Sequence, residues 1–153
     1  EFDSTGTLAR AQFAMTLYRM SGSPDVEYSA KFKDIADGVW YTKAILWASQ
    51  AGVANGYANG NFGPADNINR EQMATMMYNY AKNEGYDVSA RKNLGSFADG
   101  RYVSAYAKKA MEWAVANSII SGKDNGTRLD PQGSANRGEC AAILIRFLEK
   151  YVY

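Results

Sequence analysis

A chain of 153 residues with 46% hydrophobic side chains can bury one substantial core, and its formal charge of +1 argues against strong nonspecific attraction to nucleic acid. The absence of His and the presence of a single Cys remove the commonest general base, the commonest metal ligand, disulfides and every Cys-based zinc pattern. Catalysis has little to work with and no cofactor is expected. No apolar run approaches the roughly 20 residues needed to span a membrane, so membrane insertion is not expected either.

Hydrophobic periodicity predicts five helices, near 9–20, 40–51, 69–84, 105–117 and 136–150, with no stretch alternating as a strand. The first opens at Leu8-Ala9-Arg10-Ala11-Gln12 and carries an apolar stripe of Phe13, Ala14, Leu17 and Met20. Ala9 stands in the cap position, where it forfeits roughly 0.5–2 kcal/mol relative to a capping side chain. A connection from Ser21 to Ala30 follows, then Phe32-Lys33-Asp34, Trp40-Tyr41 and a helix holding Ala44-Ile45 and Trp47-Ala48. Gly52 falls where that helix needs a residue of positive φ to end. The loop Gly56 to Asn67 is long enough to suggest binding work.

The third helix opens at Ile68-Asn69-Arg70-Glu71-Gln72, where Asn69 and Gln72 read as a capping box, and its stripe is Met73, Ala74, Met77 and Tyr80. After a second connection around Gly85 to Gly95, Phe97-Ala98-Asp99, Tyr106-Ala107, Ala110-Met111 and Trp113-Ala114 repeat the earlier segment, with short 3₁₀ turns expected near the Phe-x-Asp positions. The last helix opens at Ala135-Asn136-Arg137-Gly138-Glu139, again with a capping box, and its stripe is Cys140, Ala141, Leu144 and Phe147. These twelve stripe side chains are read as core and given no chemistry.

The three helix starts define a repeat. Arg10, Arg70 and Arg137 lie 60 and 67 residues apart, and eight residues before each stands Phe2, Phe62 or Leu129. Turn formers follow directly: Asp3-Ser4, Gly63-Pro64 and Asp130-Pro131. The units are 1–22, the C-terminal part of a first repeat, and two complete repeats at 32–85 and 97–153. The chain thus opens inside its first repeat, and a partner segment completing that repeat is expected. A cation in a first helical turn opposes the macrodipole by roughly 0.3–1 kcal/mol, whereas the amides there favour anions. An Arg beside them can clamp a carboxylate, or it can pair with a nearby acidic side chain.

Phe32-Lys33-Asp34, Trp40-Tyr41, Gly52-Val53-Ala54-Asn55-Gly56-Tyr57, Asn59-Gly60-Asn61-Phe62-Gly63-Pro64 and Ile68-Asn69-Arg70-Glu71 closely resemble the S-layer homology repeat. The resemblance covers essentially the whole chain. It implies a pseudo-threefold, three-pronged all-α bundle with ligand grooves between adjacent repeats. It also implies a noncovalent, extracellular anchor in a Gram-positive-type cell wall or S-layer, bound to a secondary cell-wall polysaccharide through pyruvylated N-acetylmannosamine. On that reading Arg10, Arg70 and Arg137 hold the pyruvyl carboxylate, helped by helix amides. Trp40 and Tyr106 offer flat faces to sugar, Asp34 and Asp99 accept from hydroxyls, and Gly52 lets backbone approach the ring.

Copy three departs from the pattern. Ser118 replaces Gly52, and Ser121-Gly122-Lys123 replaces Asn55-Gly56-Tyr57, so a groove of Gly52 and Trp40 is expected to outbind one of Ser118 and Tyr106. Asn117 is the expected source of the positive φ there. Asp34 and Asp99 read equally well as caps, and Glu71 and Glu139 as structural. The Asp124 to Asp130 loop lacks an EF-hand ladder, and no spacing fixes a glycosidase acid pair. The remaining alternative to wall binding is a structural protein–protein assembly module of a cell-surface complex.

Overall fold

The computed structural model describes residues 6–153, so Phe2, Asp3 and Ser4 lie outside the described residues. Among the described residues five α-helices form: α1 (Arg10–Met20), α2 (Thr42–Gln50), α3 (Arg70–Asn83), α4 (Lys108–Ala116) and α5 (Arg137–Tyr151). Short 3₁₀ turns at Leu94–Ser96, Gly100–Tyr102 and Ala105–Ala107 flank the Phe97-Ala98-Asp99 segment and lead into α4. Among the described residues there is no strand, only isolated bridging pairs. The fold is all-α.

Three of those bridges reveal how the repeats meet. Leu8, Ile68 and Ala135, each two residues before its Arg, join in a closed ring: Leu8 N–H donates to Ala135 (3.3 Å), Ala135 to Ile68 (2.9 Å) and Ile68 to Leu8 (2.8 Å). Ile68 and Ala135 are fully buried and Leu8 nearly so. A cyclic set of equivalent bonds among equivalent residues is a pseudo-threefold axis. Around it each helix start is tied to the next repeat's loop: Arg10 N–H donates to Asp66, Arg70 to Gly133 and Arg137 to Gly6. Ala11 and Glu71 donate likewise to Pro64 and Pro131.

This arrangement revises one expectation. The first two amides of α1 and α3 and the first of α5, free at a bare helix end, are here satisfied by loop carbonyls. The third amide goes to the cap, with Asn69 accepting from Gln72 and Asn136 from Glu139. Ala9 supplies only the return half of the box, donating its own N–H to Gln12 Oε1 at 2.8 Å. Helix amides therefore contribute little free donor capacity for a ligand.

Helices pack in pairs, α1 on α2 and α3 on α4, while α5 has no such partner among the described residues. The consequence shows eight residues after each Arg: Tyr18 is 7% and Tyr78 9% exposed, but Ile145 is 57% exposed. The core runs through the axis, from Phe13, Leu17 and Ile45 to Met77, Met111, Trp113 and Phe147, all fully buried. Trp47 and Trp113 join it through tilted and edge-on contacts with Tyr18, Tyr78, Tyr80 and Phe147. No helix is long and apolar enough to cross a membrane among the described residues.

Gly52 and Ser118 end α2 and α4 in the same left-handed conformation, with φ of 74° and 57°. Ser118 adopts it directly, and Asn117 keeps φ at −97°. Asn117 instead bonds its side-chain amide back to the Trp113 carbonyl. The third repeat accepts a locally disfavoured residue where the second uses Gly.

Candidate functional site

Two clefts hold the Arg residues of the first two repeats. The first, about 440 Å³, is walled by Arg10, the Val53 to Tyr57 loop, Gln72, Thr75, Met76 and Asn79 of α3, and Tyr106. The second, about 460 Å³, is its counterpart one repeat on, walled by Arg70, Ile120 to Lys123, Leu129, the cap Asn136, and Gly138, Glu139, Ala142, Ile143 and Arg146 of α5. Each cleft joins an Arg of one repeat to the loop and helix of the next. Trp40 stands apart, in a third cleft of about 330 Å³ with Met15, Tyr18, Tyr28 and Lys43.

Arg10 is 4% exposed and lies between two rings, its guanidinium carbon 4.8 Å from the Tyr57 centroid and 4.6 Å from that of Phe62. Its Nε donates to the Phe62 carbonyl and one terminal nitrogen to the Asn55 carbonyl. Among the described residues no carboxylate lies within ion-pairing distance. Burial lowers the pKa of this guanidinium from its ordinary value, and Tyr57 and Asp66 only partly offset that pull. It remains charged at neutral pH. The result is a fixed cation short of counter-charge at the wall of a cleft.

Arg70 occupies the equivalent place with a different outcome. Its Nε donates to Glu139 Oε2 at 2.7 Å and Nη1 to Asp130 Oδ2 at 2.9 Å. Lys123 reaches the same Asp130 oxygen at 3.2 Å. Glu139 keeps its other oxygen for the Asn136 cap amide, so one carboxylate serves both helix start and ion pair. Here the second of the two open readings for an Arg, pairing with a neighbouring acid, describes the geometry. Arg137 is half-buried, and its backbone joint is to Gly6.

Asp34 and Asp99 are loop brackets. Asp34 accepts from the amides of Phe62 and Gly63 at 2.8 and 2.9 Å, and Asp99 from Leu129 and Asp130, both at 2.8 Å. Each carboxylate ties its Phe-x-Asp segment to the loop that carries the cleft wall. Burial acts to raise the Asp99 pKa, but the two amides outweigh it and hold the carboxyl below its usual range. A folded pKa below the unfolded value stabilises above the unfolded pKa, and that contribution is lost as pH falls through the folded one. Acid titration followed by circular dichroism should therefore show Asp99→Asn less acid-sensitive below about pH 4 than the parent, though less stable at pH 7. An unchanged acid profile would remove the bracket's electrostatic role.

Gly52 lies outside all three clefts, and a Cβ there would meet nothing within 4 Å. Its conformation accounts for the residue. Trp40 and Gly52 are not brought together, whereas Tyr106 crosses from the third repeat to sit with Arg10 and Tyr57. Burial and the charge of Glu71 push the Tyr106 hydroxyl up to about 12, leaving it a proton donor at neutral pH. Glu71 is itself buried and accepts from Ser104 N–H, Ser104 Oγ and Gln132. Residue patterning read Gln72 only as part of a capping box and Tyr57 only as part of a loop motif that copy three lacks, and it gave Asn79 no role. The signal for them was the cross-repeat geometry, which spacing within one repeat does not show.

Fold and clefts together define a binding module of tandem helical repeats, with its concave surfaces at the seams between them. Residues 31–74 and 96–141 match the S-layer homology domain, and the chain belongs to that family of anchoring modules. It is 33% identical over 153 residues to an amylopullulanase of Thermoanaerobacterium thermosulfurigenes, which aligns with 98% of this chain but only 8% of that enzyme. It is 29% identical over 150 residues to the surface-layer 125 kDa protein of Lysinibacillus sphaericus, covering 97% of this chain and 12% of that protein. A cellulosome-anchoring protein of Acetivibrio thermocellus is 28% identical over 161 residues, covering 97% and 34%. The chain thus spans a small part of each of these relatives, and the enzyme name belongs to a protein that is mostly other sequence.

Proposed function

We propose that this module anchors its parent protein noncovalently at the outside of a Gram-positive-type cell, by binding a secondary cell-wall polysaccharide through its pyruvylated N-acetylmannosamine. The observation that carries the reading is Arg10, a buried cation on a cleft wall with no carboxylate partner among the described residues. A pyruvyl ketal presents one carboxylate on a rigid ring. Arg10 receives that carboxylate, Tyr57 and Tyr106 face the sugar, and Gln72 and Asn79 bond its hydroxyl and acetamido groups. Arg137 holds the corresponding position at the third seam, Trp40 serves as an aromatic wall in its own cleft, and Asp34 and Asp99 act by fixing the loops.

Calorimetric titration with purified pyruvylated wall polymer, against the same polymer chemically depyruvylated, tests the reading. Binding of the first and loss of binding with the second supports it. Equal binding to both removes the carboxylate from recognition, and binding to neither favours the assembly-module alternative.

A further inference from the structure

Glu71 is a carboxylate that is 2% exposed and has no Lys or Arg within ion-pairing distance among the described residues. Burying such a group is costly unless other donors replace its water. Four donors do so, all from the third repeat: Ser104 N–H at 2.9 Å, Ser104 Oγ at 2.6 Å, Gln132 Nε2 at 3.1 Å and the Tyr106 hydroxyl. The same joint one seam earlier is built without any of these groups. There the Ala11 amide donates to Pro64 as the Glu71 amide does to Pro131. The residues matching Glu71, Ser104, Gln132 and Tyr106 are Ala11, Gly38, Ala65 and Trp40, and the third helix start has Gly138. Acid, donors and phenol thus occur together in one seam and are absent together in the other. Since backbone bonds alone join α1 to its neighbouring loop, the carboxylate has a task beyond joining repeats.

Resting on the proposed sugar binding, we propose that Glu71 is a positioning residue that holds Tyr106 in place as a wall of the Arg10 cleft. Tyr106 is 59% exposed and comes from the third repeat, while the rest of that cleft comes from the first and second. An exposed aromatic side chain with a free hydroxyl samples several rotamers, and ordering it on binding reduces affinity. Glu71 takes that hydroxyl, and Ser104 and Gln132 hold the carboxylate from two further points. Gln132 is itself fixed by its second bond, to the Tyr102 carbonyl at 2.9 Å. The ring therefore stands pre-ordered in the cleft with Arg10 and Tyr57, its hydroxyl engaged and its apolar surface left for the sugar. Trp40, which has no hydroxyl, rests edge-on against Tyr41 at 5.0 Å instead.

The test follows Tyr106 by NMR in protein labelled with ¹³C at tyrosine Cζ, whose shift reports what the hydroxyl bonds, and pairs it with calorimetry on purified pyruvylated wall polymer. In Glu71→Ala, which gives α3 the residue α1 has at the matching position, the Tyr106 Cζ signal should move and affinity should fall about three- to tenfold. In the Tyr106→Phe background, where the bond is already gone, the same substitution should cost no further affinity. A Glu71 that only steadied the fold would lower affinity equally in both backgrounds. Should Glu71→Ala fail to fold, Glu71→Gln, which keeps an acceptor for Ser104 and removes the charge, decides by the same two readouts. A Tyr106 signal that stays in place in a folded variant, or an affinity that is unchanged or falls equally in both backgrounds, would overturn the proposal. If the parent does not bind the polymer, the proposed function fails while the Cζ signal still decides whether Glu71 holds Tyr106.

Discussion

Trp113→Ala is expected to lower the free energy of unfolding by about 3–5 kcal/mol, the range for truncating a buried Trp. Trp113 has no exposed surface, contacts the rings of Tyr78, Phe147 and Tyr151, and donates its indole N–H to Tyr151 Oη at 2.8 Å. It joins α4 to both α3 and α5, so the void opens where three helices meet and cannot close by moving one of them. Thermal denaturation should show a loss of roughly 10 °C, given about 2–4 °C per kcal/mol in domains of this size. A loss below about 1 kcal/mol would mean the aromatic cluster relaxes freely and is not the organising contact of the third repeat.

Arg70→Ala should cost on the order of 2 kcal/mol of stability, with its main effect on folding and not on polymer affinity. Removing the guanidinium takes the shared cation from Asp130 and Glu139, leaving Asp130 its contact with Lys123 and Glu139 its bond from the Asn136 amide. Breaking a fully buried pair costs roughly 3–5 kcal/mol; these two carboxylates are 31% and 28% exposed, which reduces the figure through solvent screening. Chemical denaturation checks the magnitude. A folded, equally stable Arg70→Ala protein that has lost polymer binding would reverse the assignment and make Arg70 the ligand clamp.

Helix positions, the all-α class and the repeat were legible because each rests on local chemistry: a 3.6-residue apolar period, Asn caps with Gln or Glu three residues on, and Gly or Pro at the ends. All five helices form within about three residues of the expected bounds. What the sequence did not disclose is contact between repeats. Arg10 and Arg70 have the same local setting, and only the neighbouring repeat's positions 63 and 72, or 130 and 139, decide which is ion-paired. Asp130 reads as a turn former and Glu139 as a cap, and both readings hold while omitting the bond to Arg70. The first-turn amides likewise read as an anion site from one helix alone, and become backbone joints once the next repeat's loop is in place. Tyr106 and Trp40 align in sequence yet face different seams.

Calorimetry of Arg10→Ala with purified pyruvylated wall polymer, on protein verified as folded by circular dichroism, tests the central claim most directly. The account predicts a loss of about ten- to a hundredfold in affinity, the equivalent of a charge-assisted contact of roughly 1.5–3 kcal/mol. Unchanged affinity in the folded variant would contradict it and remove the Arg10 cleft as the carboxylate site.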